Sequence, residues 1–252
     1  MLLENKTAIL YGAGGHIGRA VAEAFAHEGA KLFLTGRNSQ PLQAIADELG
    51  NGGGKAEVAE VDALDAESVD AHLTTVVEKT GGLDISFNMI SLKDVQGQEL
   101  AAMSIEDYMK PIEIAARSQF ITATAAARHM TKRGRGVIMT ITATPARLAL
   151  PLVGGFGTAC GTIEGMMRTL AAEVGPKGVR VCWLRSAGSP ESFPPDASIA
   201  DPEFQEKIRT STLLKRFPKL DEIGGVAALM ASDRAGAMTG AAFNITCGQI
   251  VD

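Results

Sequence analysis

The chain has 252 residues, and its 24 basic and 29 acidic side chains give a net charge of −5. The hydrophobic fraction of 46%, the charged fraction of 21% and the mean hydropathy of +0.10 indicate a folded globular protein and exclude a disordered one. No apolar run approaches the roughly 18 residues of a membrane span, and a sequence pI near 5.5 without a basic run argues against nucleic acid or an anionic membrane as a partner.

The cysteines and the N-terminal residues indicate the cellular compartment of the protein. Cys160, Cys182 and Cys247 have no C-x-x-C spacing, so neither a disulfide framework nor a structural zinc site is expected. The N-terminal residues lack a basic segment followed by a cleavable apolar stretch, so the sequence predicts no signal peptide. These features predict a cytoplasmic protein without a bound metal.

Strand and helix signals alternate from the N-terminus to the middle of the chain. In chain order they predict a strand at 7–11, a helix at 17–27, a strand at 31–34, a helix at 42–49, a strand at 56–61, a helix from an N-cap at Asp65 to about Thr80, and a strand at 83–88. Gly29 is the expected C-cap of the first helix.

The alternation continues to the C-terminus. A helix is predicted from about 104 to 132, a strand at 137–142, a helix at 157–174, a strand at 179–184, a helix near 221–231 and a last strand near 242–246. Pro111 either kinks the first of these helices or marks its true start. Residues 188–202 are rich in Pro and Ser and predict an irregular loop.

This alternation predicts the fold class. Strands separated by helices imply right-handed crossovers and a parallel sheet covered on both faces. The sequence has no internal repeat and no linker, so we expect residues 1–252 to form one domain. The predicted class is α/β, a single doubly wound parallel sheet of Rossmann type in three layers.

A glycine-rich loop follows the first predicted strand. Gly12, Gly15 and Gly18 fit G-x-x-G-x-x-G, and a helix begins directly afterwards. Glycine lets the backbone turn tightly and approach a pyrophosphate, which the helix N-terminus then binds through free N–H groups. The loop therefore predicts dinucleotide contacts at these glycines and at His16 and Ile17, against the alternative of a merely tight turn. His16 either touches phosphate or faces solvent.

The end of the second strand favours one dinucleotide over the other. Folds that bind NAD usually place an acid here for the ribose 2′-hydroxyl. This chain has Gly36 and then Arg37, whose guanidinium suits a 2′-phosphate. The sequence therefore favours NADP(H) over NAD(H), although an arginine exposed in a loop is the alternative.

Further motifs resemble the short-chain dehydrogenase/reductase family over nearly the full length. Leu83–Asp84–Ile85–Ser86–Phe87–Asn88 is similar to the strand that leads into the family's N-N-A-G segment, residues 178–181 to its G-I-R-V, and residues 231–234 with 239–240 to its L-A-S-D…T-G. The resemblance implies an oxidoreductase in which Asp62 contacts adenine and Asn88 lies at the cofactor. It also implies a homodimer or homotetramer with contacts through the helices near 104–132 and 157–174.

The catalytic positions of the family are occupied by other residue types. The Y-x-x-x-K register falls on Phe156 and Cys160, the serine position on Ala143 and the asparagine position on Ala115. Phenylalanine has no titratable proton, cysteine no fixed positive charge, and alanine no group that hydrogen-bonds a carbonyl. General acid–base catalysis typically contributes about 10²–10⁴-fold, so its loss has consequences.

Other polar residues could act instead. Thr142 and Arg185 are candidates near the expected nicotinamide position, and Arg185 could bind an anionic substrate or polarise a carbonyl. Alternatively Arg185 forms an ion pair with Glu191 or another acid. Cys160 is a nucleophile only if a nearby cation lowers its pKa, and a buried inert thiol is the alternative.

Two functions follow from these observations. The first is an NADP(H)-dependent oxidoreductase with a rearranged active site and an unidentified small-molecule substrate. The second is a non-catalytic dinucleotide-binding protein, a sensor or a structural partner. The intact glycine loop supports both, and the simultaneous loss of four catalytic groups motivates the second.

Overall fold

The computed structural model describes residues 1–192 and 201–251, without the side chain of Phe204. The strands are Thr7–Tyr11 (β1), Lys31–Gly36 (β2), Lys55–Glu60 (β3), Ile85–Asn88 (β4), Gly136–Ala143 (β5), Val179–Ser186 (β6) and Ala241–Ile245 (β7). The helices are His16–His27 (α1), Ser39–Asn51 (α2), Ala66–Thr80 (α3), Ile105–Arg133 (α4), Gly155–Val174 (α5), Pro202–Ser211 (α6) and Leu220–Ala231 (α7).

The seven strands form one parallel sheet in the order β3-β2-β1-β4-β5-β6-β7. The predicted α/β fold with a doubly wound parallel sheet is therefore confirmed. The strand order reverses between β1 and β4, and open α/β sheets bind their ligands at the carboxyl ends of the strands at such a point.

Two hydrophobic clusters lie on opposite faces of the sheet because side chains alternate along each strand. In β1, Ile9 and Tyr11 belong to the cluster under α3, α4 and α5, whereas Ala8 and Leu10 belong to the cluster under α1, α2 and α7. Both faces of β1 are buried, which explains why its sequence is a continuous apolar run.

Local signals set several helix ends. Asp65 accepts hydrogen bonds from the backbone N–H groups of Glu67 and Ser68 at the start of α3, and Ser104 caps α4 through the N–H of Asp107. These two helix starts agree with the sequence prediction. Gly29 follows α1 with φ +88°, although Glu28 is the C-cap.

Three details differ from the sequence expectation. Pro111 lies buried inside α4, which begins at Ile105, so it does not mark the start of the helix. Helix α6 is absent from the sequence prediction. It begins at Pro202, which is the last residue of the predicted loop. Residues 190–192 of that loop form a single 3-10 turn, and residues 193–200 lie outside the described residues.

The described helices include no candidate for a membrane span. None of them combines the length and the apolar character that crossing a bilayer requires. That residues 1–252 form one domain stays a prediction.

Candidate functional site

Two glycines of the loop are required by the packing of the fold itself. Gly12 has φ +79°, and a Cβ added there would lie 2.8 Å from the carbonyl oxygen of Met89 after β4. A Cβ on Gly18 would clash with the carbonyl oxygen of Gly12. The backbone approaches itself and the residue after β4 so closely here that no side chain fits at Gly12 or Gly18. Packing alone therefore explains these two glycines, without a ligand.

Two other glycines of the loop have room for a side chain. A Cβ on Gly14 would lie no closer than 3.5 Å to Pro41, and one on Gly15 no closer than 3.7 Å to Gly12. Gly15 is the N-cap of α1 and has φ −84°, so no side chain caps the N–H groups at the start of this helix. The fold therefore leaves an open cradle of backbone N–H groups at the start of α1, which fits a pyrophosphate.

His16 and Ile17 occupy the first turn of α1. His16 is exposed and lines a surface groove between α1 and α7. Ile17 is half-buried and packs against the cluster under α1 and α7. Of the two, Ile17 thus has a packing role in addition to its predicted place beside the cofactor.

The end of β2 is open as the sequence suggests. A Cβ on Gly36 would meet only Leu42, at 3.5 Å, and the residue does not have positive φ. Arg37 is exposed and Asn38 caps α2 by accepting from the N–H of Gln40. Among the described residues no ion pair engages Arg37, so its guanidinium is available to a ligand at this edge.

Asp62 and Asn88 also lie at the carboxyl edge of the sheet. Asp62 is half-buried after β3, and its Oδ1 accepts from the N–H of Leu64 at 2.9 Å. Asn88 is buried, with Oδ1 accepting from the N–H of Ile90 at 3.1 Å and Nδ2 donating to Thr122 Oγ1 at 3.0 Å. The side chain of Asn88 thus ties the end of β4 to α4.

The four positions that the resemblance assigns to catalysis lie on β5, α4 and α5. Ala143 ends β5, Ala115 is buried in α4, and Phe156 is half-buried in the first turn of α5. Cys160 is 1% exposed, and the backbone of Ala143 lowers the pKa of its thiol. The Ala143 and Cys160 positions are therefore near each other.

The environment of Cys160 keeps its thiol protonated. Its pKa is raised to about 12, mainly by burial, with the backbone of Ala143 lowering the pKa and the carboxylates of Asp94 and Glu164 contributing to the rise. Since a thiolate is the nucleophilic form, a thiol with this pKa is not reactive near neutral pH. The structure thus supports the inert-thiol interpretation.

Arg185 and Thr142 belong to one buried network. The guanidinium of Arg185 donates from Nε to Glu164 Oε1 at 2.8 Å and from a terminal nitrogen to Oε2 at 2.7 Å. Thr142 donates to the same Oε1 at 3.0 Å, and Arg168 approaches Oε2 at 3.6 Å from the surface. Arg185 and Glu164 are 3% and 2% exposed.

This network favours the ion-pair interpretation of Arg185, with Glu164 as the acid. A guanidinium held bidentately by a buried carboxylate is a poor candidate for polarising a carbonyl, because its charge is already compensated. Residue 164 is not among the candidates that the sequence suggests. An acid one turn after Cys160, within an otherwise apolar face of α5, is the signal that could have found it.

Known proteins resemble this chain over almost its whole length. Residues 12–249 match a family model described as enoyl-(acyl carrier protein) reductase. Glucose 1-dehydrogenase 2 of Bacillus subtilis (strain 168) is 30% identical over 251 residues, covering 98% of this chain and 95% of the relative. The chain therefore belongs to the short-chain dehydrogenase/reductase family of oxidoreductases.

Solved structures agree with this fold. A short-chain type dehydrogenase/reductase from Mycobacterium marinum has a TM-score of 0.87 at 26% identity, covering 99% of this chain and 97% of that one. A short chain dehydrogenase from Burkholderia cenocepacia J2315, solved in complex with NADP, has a TM-score of 0.84 at 24% identity and covers 99% of both chains.

Proposed function

We propose that this chain is an oxidoreductase that uses NADP(H) in a non-standard active site. The observation that carries the cofactor is the open cradle at Gly14 and Gly15, where the fold leaves room for side chains and none is present. A pyrophosphate would be held by the backbone N–H groups at the start of α1. A bound nicotinamide cofactor supplies or accepts the hydride of the reaction.

The preference for NADP(H) rests on the end of β2. Packing does not require a glycine at position 36, where NAD-binding folds have an acid that would repel a phosphate. The next residue, Arg37, is exposed. A guanidinium and a 2′-phosphate form paired charge-assisted hydrogen bonds. The Burkholderia dehydrogenase, which shares the fold, was solved with NADP, and this is consistent with the preference.

The non-standard character rests on the residues at the family's catalytic positions. Ala115, Ala143, Phe156 and Cys160 provide no accessible proton donor and no fixed cation. Carbonyl reduction forms an alkoxide that must gain a proton, and these residues do not supply it. The substrate is therefore one whose reduction does not depend on a tyrosine.

A non-catalytic dinucleotide-binding protein is the second candidate. What favours it is that Ala115, Ala143, Phe156 and Cys160 occupy the positions expected to be catalytic while the glycine cradle is kept. Such a protein would bind the nucleotide as a sensor or as a structural partner of an active relative. Turnover, rather than binding, separates the two candidates.

A titration of NADPH and NADH by calorimetry tests the cofactor. We expect the chain to bind NADPH more tightly than NADH. Arg37→Ala should lower the affinity for NADPH by about 10-fold or more, because a charged hydrogen bond is lost, and should leave the affinity for NADH unchanged. Arg135→Ala is the matched control, because Arg135 precedes β5 at the opposite edge of the sheet. Equal losses for both nucleotides in Arg37→Ala would contradict the proposed preference.

A panel of carbonyl, enoyl and imine substrates then tests catalysis. Consumption of NADPH with any of them supports the oxidoreductase. Tight NADPH binding without turnover across the panel supports the non-catalytic alternative instead. Absence of binding by either nucleotide would contradict both candidates.

A further inference from the structure

The connection between β5 and α5 contains a leucine in an unfavourable backbone conformation. Leu152 has φ +63°, in the left-handed region that a bulky side chain rarely adopts. Pro151 precedes it, and the pair has the pattern of a type II turn, whose third position normally takes Gly or Asn. Within the described ranges, the other non-glycine residues with positive φ are Asn5, Lys93, Lys215 and Cys247. None of these is a large aliphatic residue, so the leucine at position 152 is strained by its residue type.

Backbone contacts hold this conformation in place. The N–H of Gly97, on the connection between β4 and α4, donates to the carbonyl oxygen of Leu152 at 2.8 Å. Two residues after Leu152, Gly154 has φ +54°, and a Cβ there would lie 2.6 Å from the carbonyl oxygen of Val95. The two connections thus pack backbone against backbone, and strain persists where the surroundings determine the conformation in this way. The fold fixes the turn but does not require a leucine in it.

The connection around Leu152 is apolar although it lies at the surface. Residues 148–153 read LALPLV, and none of the six is buried. In the part of the chain that the structure describes, Leu152 is 42% exposed and belongs to neither hydrophobic cluster of the sheet. Surface connections are normally polar, and an exposed run of apolar residues is unfavourable unless it contacts something. A leucine that the fold does not need, in a conformation that it disfavours, therefore indicates a contact with a ligand.

Leu152 lies beside the positions expected to be catalytic. It comes four residues before Phe156, whose N–H donates to the carbonyl oxygen of Val153 at 3.2 Å. A Cβ on Gly157 would lie 3.4 Å from Val153 Cγ2 and 3.5 Å from Cβ of Pro145, which follows the end of β5. The connection therefore packs against the first turn of α5, close to the end of β5.

The strand order indicates which part of the ligand reaches this connection. In the proposed complex, Arg37 after β2 binds the 2′-phosphate and the cradle after β1 binds the pyrophosphate. The sheet continues from β1 to β4 and β5, so the nicotinamide half would extend toward the connections that follow β4 and β5. A substrate that exchanges a hydride must lie against the nicotinamide. Leu152 is thus at the end of the site where the substrate binds.

Polar side chains near the connection are few among the described residues. Arg147, just before the apolar run, is exposed. On α5, Thr158 lies about 200° round the helix from Phe156, and its Oγ1 is 3.0 Å from Oη of Tyr108 on α4. Glu164 and its arginine partners are about two turns further along α5. The surface that the connection offers to a ligand is therefore mainly apolar.

We propose that Leu152 is a specificity-determining residue whose side chain contacts an apolar group of the substrate. The site accordingly selects substrates that carry such a group. The inference rests on the proposed function, since it needs a substrate that meets a bound nicotinamide cofactor. Leu152 takes no part in the chemistry. It contributes binding free energy in proportion to the apolar surface that it covers, and it excludes water from that surface.

Binding of an apolar probe tests Leu152 separately from turnover. The probe is prodan, a neutral naphthyl ketone whose fluorescence shifts to shorter wavelength in apolar surroundings, titrated into the chain with and without saturating NADP⁺. Leu152→Ala should weaken its binding about 10-fold, the scale of one leucine-sized apolar contact. Leu229→Ala is the matched control, because Leu229 is 41% exposed on α7, and it should bind prodan as the wild type does. Absence of binding by the wild type, or unchanged binding by Leu152→Ala, would overturn the inference.

The backbone strain gives a second measurement. Leu152→Gly should unfold at a higher urea concentration than the wild type and bind prodan as weakly as Leu152→Ala, because glycine relieves the strain and removes the contact. A lower unfolding midpoint would show that the leucine side chain serves the fold, which contradicts the inference. A smaller assembly mass of Leu152→Ala in light scattering, with unchanged prodan affinity, would assign the side chain to a subunit contact and would also contradict it.

Turnover of matched substrates completes the test. Crotonaldehyde and trans-2-decenal share one reacting group and differ in the length of the apolar chain, and NADPH absorbance follows both. We expect a higher kcat/KM for decenal, and Leu152→Ala should raise its KM about 10-fold with little change in kcat, since the contact is made before and during the reaction. Equal kcat/KM for the two enals in the wild type would count against Leu152 as a specificity residue. Lack of NADPH binding or of turnover bears on the proposed function alone, and the prodan titration still decides the role of Leu152.

Discussion

At the scale of single residues, the most constrained group in the site is the carboxylate of Glu164. It accepts from Arg185 and from Thr142, and all three side chains are buried. Thr142 and Arg185 are partners across β5 and β6, so the network joins α5 to both strand ends. A buried ion pair is modest evidence for stability, but removing Glu164 takes two charge-assisted hydrogen bonds away from a guanidinium in a low-dielectric interior.

Glu164→Leu is therefore expected to lower the free energy of unfolding by about 3–5 kcal/mol, as breaking a buried pair does. The double variant Glu164→Leu/Arg185→Met should recover part of this loss. Arg168→Gln is the control, because Arg168 is 54% exposed and its pair with Glu164 should contribute no more than about 1 kcal/mol. Urea unfolding measures all three, and an equal effect of Glu164→Leu and Arg168→Gln would contradict the buried-pair argument.

At the scale of elements, α1 and α7 pack through a glycine. A Cβ on Gly224 would lie 2.7 Å from the carbonyl oxygen of Ala20 and 3.0 Å from the Cβ of Ala24, both on α1. The next residue, Gly225, is exposed, and a Cβ there would have no atom within 4 Å. Two adjacent glycines of one helix thus have opposite packing environments.

This pair gives a matched comparison. Gly225→Ala should stabilise the protein by about 0.5–1 kcal/mol, because alanine has the better helix propensity. Gly224→Ala gains the same propensity but must push α1 and α7 apart, and we expect a net loss of about 1–3 kcal/mol from overpacking. Thermal or urea unfolding measures both, and a stabilising Gly224→Ala would show that α1 yields to the added methyl group.

At the scale of the whole molecule, the layer formed by α4 and α5 has an exposed surface in the part of the chain that the structure describes. Phe120 on α4 is 62% exposed. On the neighbouring α5, a Cβ on Gly161 or Gly165 would have no atom within 4 Å. The fold of one chain therefore does not require these glycines, whereas the close approach of a second chain would. This agrees with the homodimer or homotetramer expected from the sequence, which stays a prediction.

The oligomer can be tested by a single charge. Phe120→Asp should lower the mass measured by light scattering to that of a smaller assembly or the monomer, because a carboxylate would be buried unpaired in the interface. Leu229→Asp is the control, since Leu229 is 41% exposed on α7 at the other face of the sheet. A monomeric wild type, or a Phe120→Asp variant of unchanged mass, would contradict the expectation.

Local patterns determined much of the fold. The apolar runs, the helical spacing and caps such as Asp65 and Ser104 depend on residues close in sequence, so the strands and six of the seven described helices could be placed. Helix α6 is missing from the prediction although its signals are present, with Asp201 as N-cap and Pro202 at the first position. The glycine loop was likewise visible, because a tight strand–helix turn is a local motif.

What the sequence could not decide was which groups face each other across the sheet. The ion pair of Arg185 with Glu164 joins a strand and a helix 21 residues apart, and nothing in the sequence ranks Glu164 above the expected partner Glu191. The position of Asp94 depends on the packing of its segment against Gly154 of α5. The sequence by itself determined the elements and the cradle for a dinucleotide, because these are local. Only the tertiary structure decided which charges are compensated beside Cys160, because that depends on the packing of β5, β6 and α5.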